Sequence, residues 1–324
     1  PNAWPTVSIL ISVRNEERNL RQLMTSLSLL SYPKDKFEII IGDDDSTDDS
    51  VQLIKELLPV NGQLFEFRDH QSKGKQFVLS QLATLSSSRF LLFTDADMSF
   101  NRDWIQGMVQ DADQSFKVGL TTVRSNGLSS KMASMDWLFH QSIIAFFSRL
   151  GFAITAWGNN MIIDRELYDK IGGFEKLESS IVEDVKLMRA VVAGGGQVRV
   201  ELSKEVRATT ESNASILDLL HQRKRWMSGL DKVPFLLKIA VLIKLLYLPV
   251  ILMVAWLNPW FWIIPIIKII GSMLLFHKVS KVSLVRFRLM DFLLYEIYDF
   301  GFYLITFAFY ILPIPVRWKG RSYH

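Results

Sequence analysis

Hydrophobic and polar positions follow two alternating rhythms over the first hundred residues. Residues 7–13, Val-Ser-Ile-Leu-Ile-Ser-Val, form a short apolar run rich in β-branched side chains. Such a run predicts a parallel strand buried on both faces. Further strands are predicted over 37–41, over 64–67 and over 90–93, the last running directly into Asp95. Between them the apolar spacing turns helical. Asn15-Glu16-Glu17 opens a helix with Leu20, Leu23, Met24 and Leu27 on one face. A second helix follows Asp48 with Val51, Ile54, Leu57 and Leu58, and 74–85 is a third. Strands alternating with helices predict an α/β fold, a mostly parallel sheet with helices on both faces. In such sheets ligands bind beyond the carboxyl ends of the strands, where the acidic clusters of this half fall.

The pattern then changes. Residues 131–153 mix Trp137, Phe139, Phe146, Phe147 and Phe152 with Lys131, Asp136 and Arg149. This stretch is too mixed to span a bilayer and reads either as a core helix or as an interfacial helix lying on lipid. Asp184 opens another helix, with Val185, Leu187, Met188, Val191 and Val192 apolar, and Gly194-Gly195-Gly196 ends it. After Pro234 come apolar runs at 235–257, 259–276 and 289–312. The first two approach the ~20 residues that cross a bilayer. The third contains Asp291, Glu296 and Asp299. Residues 1–230 thus read as a cytosolic domain and 231–324 as a membrane region with two or three apolar segments.

The basic loop 277–288 (Lys278, Lys281, Arg286, Arg288) and the basic tail (Arg317, Lys319, Arg321) both belong on the cytosolic side with Arg223-Lys224-Arg225, by the positive-inside rule. Three full spans would separate loop from tail. Either the rule fails here, or the third run re-enters or lies in the interface. Its acidic residues favour the latter, because intramembrane charge is costly.

Charge is divided unequally. Residues 201–324 carry a net +8 and residues 1–200 a net −4, within an overall +4. A basic, apolar C-terminal part favours an anionic membrane surface over nucleic acid. The absence of cysteine excludes disulfides, thiolate metal sites and a thiol nucleophile. The sequence starts at Pro1 without an initiator Met and shows no signal peptide, so it reads as a fragment or processed form to which an upstream anchor could belong. Neither a P-loop nor a Gly-rich dinucleotide fingerprint is found, and the five His residues have no metal spacing.

Three polar signatures carry chemistry. Asp95-Ala96-Asp97 directly follows a strand. One carboxylate can ligate Mg²⁺ or Mn²⁺, which prefer hard oxygens shared with substrate phosphates, while the other faces a nucleotide. Two solvated loop carboxylates would be the ordinary explanation of an isolated Asp-x-Asp. Glu183-Asp184 stands at a helix start, where a carboxylate either complements the helix dipole or acts as general base on an acceptor hydroxyl. In Gln222-Arg223-Lys224-Arg225-Trp226, Arg225 can pair bidentately with a diphosphate, and Trp226 offers a flat apolar face to a sugar or lipid headgroup. Arg223 and Lys224 are explicable as a basic membrane flank. Among Asp43, Asp44, Asp45 and Asp48, part caps a helix, and the excess can accept hydrogen bonds from a ribose or base.

Taken in order, these motifs resemble the family-2, GT-A-fold (Rossmann-like) inverting glycosyltransferases, from Val7 to about Trp226. Ser12-Val13-Arg14-Asn15-Glu16-Glu17 resembles the family's opening turn. Asp43-Asp44-Asp45-Ser46-Thr47-Asp48 resembles its Asp-Asp-Gly-Ser-Thr-Asp turn, with Asp45 in place of Gly, which is expected to change the turn conformation. Gly74-Lys75, Gly158-Asn159-Asn160-Met161 and Gly172-Gly173-Phe174 resemble its further motifs. Trp318-Lys319-Gly320-Arg321 resembles the tail of ceramide glucosyltransferase-like and carotenoid glycosyltransferase-like members.

The resemblance implies that Arg14, Glu16, Asp43, Asp44, Lys75 and Asp95 bind the nucleotide-sugar. It implies that Asp97, with Asp95, holds the metal and that Asp184 is the base. Gly158, Asn160, Glu183, Gln222, Arg225 and Trp226 would face acceptor and diphosphate. The expected activity is transfer from a nucleotide-sugar, with UDP the expected nucleotide, to a lipid or membrane-embedded acceptor. The expected protein is integral to the cell membrane, with its catalytic domain in the cytoplasm. A processive polysaccharide synthase and a non-catalytic nucleotide-sugar sensor or scaffold are the alternatives. A synthase needs many membrane helices for its channel, and a sensor would not need every catalytic position filled.

Overall fold

The computed structural model describes residues 4–68, 74–124, 127–211, 215–227, 235–283, 285–318 and 321–323. The chain opens with β1 (Val7–Val13), α1 (Glu17–Ser28), β2 (Phe37–Asp43), α2 (Ser50–Leu57), β3 (Gly62–Glu66), α3 (Lys75–Leu85) and β4 (Phe90–Asp95). It continues with β5 (Met98–Phe100), α4 (Trp104–Val109), β6 (Ser115–Val118), β7 (Thr121–Val123), α5 (Leu128–Arg149), β8 (Asn160–Asp164), α6 (Arg165–Lys170), α7 (Glu183–Ala193), β9 (Gln197–Val200) and β10 (Ala208–Thr210). Then come α8 (Ile216–Met227), α9 (Phe235–Leu257), α10 (Ile263–Ser283), α11 (Leu289–Ile311), β11 (Val316–Trp318) and β12 (Arg321–Tyr323).

The chain divides into two compact units. The first comprises 1–124 and 140–211, the second 125–139 and 212–324. This differs from a single boundary at 230, because α8 and the start of α5 group with the apolar helices. The first unit is built on a seven-stranded sheet in the order β3-β2-β1-β4-β8-β6-β9. Strands β3, β2, β1 and β4 are parallel, whereas β8 is antiparallel to both β4 and β6. A small sheet, β5-β10-β7, stands beside it. Every residue of β1 is buried, and Ile39–Ile41 and Leu91–Phe93 line the same core. The third strand begins two residues earlier than its sequence suggests.

The turn after β2 keeps a left-handed backbone despite its missing glycine. Asp45 has φ 61°, in the region that glycine favours and that Asp tolerates better than most side chains. Neighbouring groups hold the bend: the Asn15 and Glu16 N–H groups donate to Ser46 Oγ and Ser50 Oγ at 3.0 and 2.8 Å. Asp48 accepts from the Ser50 and Glu17 N–H groups. Burial would raise the Asp48 carboxyl, but these bonds outweigh it and hold the group below its ordinary value.

In the second unit the stretches Pro259–His277 and Leu289–Ile311 are long and apolar enough to cross a membrane, with mean hydropathy 1.8 and 1.3. The apolar stretch Leu242–Leu257 is shorter. The basic loop is shorter than its sequence suggests, since α10 continues to Ser283 and takes Lys281 into its last turn. Trp318 and Arg321 belong to the antiparallel pair β11–β12, while Lys319 and Gly320 of the tail motif lie outside the described residues.

Candidate active site

The first unit gathers its polar groups at the carboxyl end of β4. Parallel pairing with β1 places Asp95 beside Ser12, and β1 pairing with β2 places Val13 beside Asp43. The antiparallel β8 then brings its amino end to the same place, with Asn160 opposite Thr94. Glycine 158 precedes β8, and α7 starts at Glu183, so the two later motifs converge on the first.

Lys75, in the first turn of α3, joins them. Its Nζ lies 2.7 Å from Asp95 Oδ1 and 2.9 Å from Glu183 Oε1. Burial alone would push the ammonium down, but the two carboxylates prevail and hold it above the ordinary lysine value. Asp184 Oδ2 accepts the Gly158 N–H at 2.7 Å, and Oδ1 accepts the Val185 N–H at 2.8 Å. A Cβ on Gly158 would stand 3.3 Å from Asp184 Oδ2 and 3.4 Å from Lys75 Nζ, so glycine is what lets the backbone come this close. The carboxylate of Asp184 is thus oriented by a backbone donor and stands next to a fixed cation.

Asp43 is fully buried at the end of β2. Its Oδ2 accepts the Ser46 N–H at 3.0 Å, and its Oδ1 has no hydrogen-bond partner among the described residues. A buried acceptor of this kind suits an N–H or O–H supplied by a ligand. Asp44 Oδ1 accepts the Gly74 N–H at 3.3 Å, and Arg14 donates to the Asp44 carbonyl. Glu16 is the N-cap of α1 and accepts from Asn19 Nδ2 at 2.6 Å.

Asp97 is half-buried beyond β4 and accepts from Thr210 Oγ1 at 2.8 Å. Thr210 has no signal in the sequence that marks it. Among the described residues no three carboxylate or imidazole groups converge as a ready metal cage. One or two carboxylates completed by donor phosphates are nevertheless the usual setting for Mg²⁺ or Mn²⁺, and Asp97 with Asp95 fits that setting.

Asn160 lies elsewhere than its motif suggests. It is fully buried, donates to the Leu120 and Val206 carbonyls at 2.9 and 2.8 Å, and accepts from Trp104 Nε1 at 2.9 Å. These bonds commit its amide to joining β8 with neighbouring segments, so an acceptor contact by this side chain is not supported.

The remaining motif belongs to the second unit. There Arg223 pairs with the buried Asp136 and stands 4.5 Å from the Trp226 ring, which also lies 4.9 Å from Trp137. Lys224 donates to the Phe309 and Leu312 carbonyls at 3.2 and 2.6 Å. Arg223 and Lys224 therefore fasten α8 and are more than a basic flank. The Trp226 ring packs on Arg223 and Trp137 and stays half-buried. Asp136, the partner that fixes Arg223, is a residue that sequence reasoning passed over as part of an amphipathic pattern.

Known proteins are similar to this chain in sequence and in fold. The chain is 29% identical over 238 residues to a beta-monoglucosyldiacylglycerol synthase of a Nostoc species, a match covering 69% of this chain and 49% of that protein. It is 25% identical over 194 residues to the 4,4'-diaponeurosporenoate glycosyltransferase of Staphylococcus haemolyticus, covering 57% of this chain and 51% of that one. The chain spans about half the length of the curated relatives it matches. In structure it is similar to the mannosyltransferase PcManGT of Pyrobaculum calidifontis, solved in complex with GDP-Man and Mn²⁺. The TM-score is 0.60 at 14% identity, over 96% of this chain and 88% of that one, which shows a common GT-A fold. The sequence profile of glycosyl transferase family 2 matches residues 8–172, and the chain belongs to that family.

Proposed function

We propose that the protein is a membrane-bound inverting glycosyltransferase that moves a sugar from a nucleotide-sugar, a UDP-sugar in our reading, to a hydroxyl of a lipid acceptor. The observation that carries this is the Asp184 carboxylate, held by the Gly158 N–H beside the Lys75 bridge between Asp95 and Glu183. A carboxylate positioned in this way can take the proton of an acceptor hydroxyl while that oxygen attacks the anomeric carbon from the side opposite the leaving diphosphate. Asp43, Asp44, Asp95 and Lys75 would bind the donor, with Arg14 and Glu16 supporting the turn that presents the two aspartates. A divalent cation held by Asp97 and Asp95 would supply charge neutralisation for the diphosphate. For Gln222, Arg225 and Trp226 the diphosphate and acceptor assignment rests on sequence resemblance. The lipid acceptor and cytosolic orientation draw support from the two lipid-related relatives, the apolar helices and the distribution of basic residues.

The test is Asp184→Asn in purified full-length chain, with nucleotide release and lipid products followed by mass spectrometry. The amide keeps an oxygen for the Gly158 N–H but is no base. Transfer should fall by roughly 10²–10⁴-fold, with nucleotide binding nearly unchanged. Wild-type-like turnover of this variant would remove Asp184 from the chemistry.

A further inference from the structure

The helix α11 is long and apolar enough to cross a bilayer, yet its surroundings argue against crossing. Its residues sort into two faces at helical spacing. Leu289, Met290, Leu293, Ile297, Leu304 and Ile311 are exposed, with Ile297 at 70%. On the opposite face Asp291, Tyr295, Asp299 and Thr306 are buried. That face mixes polar groups with the buried Phe292, and the three carboxylates of the helix are each paired with a lysine.

The partners at its two ends are the decisive feature. In the first turn Asp291 accepts from Lys131 Nζ of α5 at 2.5 Å, and Tyr295 Oη lies 3.4 Å from Asp136 of α5. In the last turns Arg223 of α8 lies over the Phe302 ring, His221 meets the Phe309 ring edge-on at 5.1 Å, and Lys224 caps the Phe309 and Leu312 carbonyls. Between these ends Lys244 of α9 pairs with Asp299 at 2.9 Å, and Lys268 of α10 pairs with Glu296. Helices α5 and α8 carry Lys131, Asp136, Asp218, Arg223, Lys224 and Arg225, and α8 has only 12 residues. Neither is built to cross hydrocarbon. For α11 to span, these charged helices would have to accompany it from its first turn to its last carbonyl. The flanking sequence agrees, since Arg286 and Arg288 precede α11 and Arg317 and Arg321 follow it. Both ends thus belong beside an anionic lipid surface on one side of the membrane.

We propose that α11 lies in the plane of the bilayer interface, its Leu/Ile face in the acyl region, its two ends held by α5 and α8, and the acidic residues between them paired with lysines of α9 and α10. An in-plane amphipathic helix buries its apolar face ~5–10 Å deep. It resolves the conflict between three apolar runs and a basic tail on the same side as the basic loop. It also puts α8, which carries Gln222, Arg225 and Trp226, directly on a lipid-level platform. The inference needs membrane attachment but is independent of the catalytic assignment.

The chain contains no cysteine, so single-cysteine variants have no background. Arg286→Cys and Pro313→Cys place thiols just before and just after α11, and Ile297→Cys and Leu304→Cys place them on its exposed face. Membrane vesicles of both orientations, washed with carbonate, are treated with a membrane-impermeant maleimide. The two end positions should label from the same side to within about twofold. Bimane at 297 and 304 should be quenched alike by shallow spin-labelled lipids. Labelling of 286 and 313 from opposite sides overturns the proposal, as does bimane at 304 quenched best by deep labels. Release of the protein by carbonate would overturn membrane attachment itself and the proposal with it. Loss of transfer by Asp184→Asn has no bearing on these readouts, so failure of the two readings is distinguishable.

Discussion

Removing the cation from the Lys75 bridge is the sharpest test of how the first unit is held together. Lys75→Met keeps the length of the side chain and deletes the charge that Asp95 and Glu183 share. At 2.7 and 2.9 Å, and an effective dielectric of about 20, each contact is worth roughly 6 kcal/mol of attraction before desolvation is subtracted. The net loss is smaller. Breaking a buried pair costs roughly 3–5 kcal/mol, and Asp95, with 27% of its side chain exposed, moves the expectation to about 3 kcal/mol. At roughly 2–4 °C per kcal/mol, the melting temperature of the full chain in nanodiscs should fall by ~6–12 °C, read by tryptophan fluorescence.

The same substitution has a pH signature. The Lys75 ammonium is held above its ordinary value, so its contribution is complete below the unfolded value of about 10.4 and is lost only as pH rises through the folded value. The deficit of the variant should therefore be constant between pH 7 and 9. Lys75→Arg, which keeps the charge, should recover most of the loss. An unchanged melting temperature, or a gap that varies between pH 7 and 9, would refute the reasoning.

Three further outcomes are expected. Asp97→Ala should abolish the Mn²⁺-dependent part of nucleotide binding measured by calorimetry, and equal affinity with and without Mn²⁺ counts against the metal assignment. Gly158→Ala, whose new methyl would press on Asp184 and Lys75, should slow transfer about 10-fold or more with a melting temperature within a few degrees of wild type. Asn160→Ala strips partners from the Leu120 and Val206 carbonyls and the Trp104 N–H. It should cost about 3 kcal/mol or more in stability, and a melting temperature like that of wild type would deny the amide its structural role.

Strands β1, β2 and β4 were legible because they are buried on both faces, which forces a nearly continuous apolar run, whereas β3, at the sheet edge with no buried residue, was misplaced by two residues at its start. Their ends were legible for the same reason, since Asp43 and Asp95 break those runs. Strands β5 to β10 are only three to five residues long and are held by pairing rather than by pattern, so periodicity could not announce them. The motifs at Asp95, Gly158 and Asp184 were readable as residue types, but their convergence depends on the reversed β8, which no local signal encodes. Asn160 shows the opposite case. A motif asparagine next to a functional glycine is bonded wholly into the interior, a fate that depends on Trp104, Leu120 and Val206 far away in sequence. The acidic residues of the third apolar run read as anomalies until their lysine partners were placed on three other helices.

Reversal of β8 has a consequence for how such a protein can diversify. The chain leaves the site at Asp95 and, after the excursion from 96 to 157, re-enters it at Gly158. Departure and return are pinned by adjacent antiparallel strands of one sheet. Because those two points are fixed by β4 and β8, the stretches of the excursion that pair with neither strand can lengthen or change composition while Asp95 and the Gly158 N–H keep their spacing; Asp97, Trp104 and β6, which pairs with β8, are not among them. The sheet therefore acts as a socket, and the unpaired stretches of the excursion as its replaceable parts.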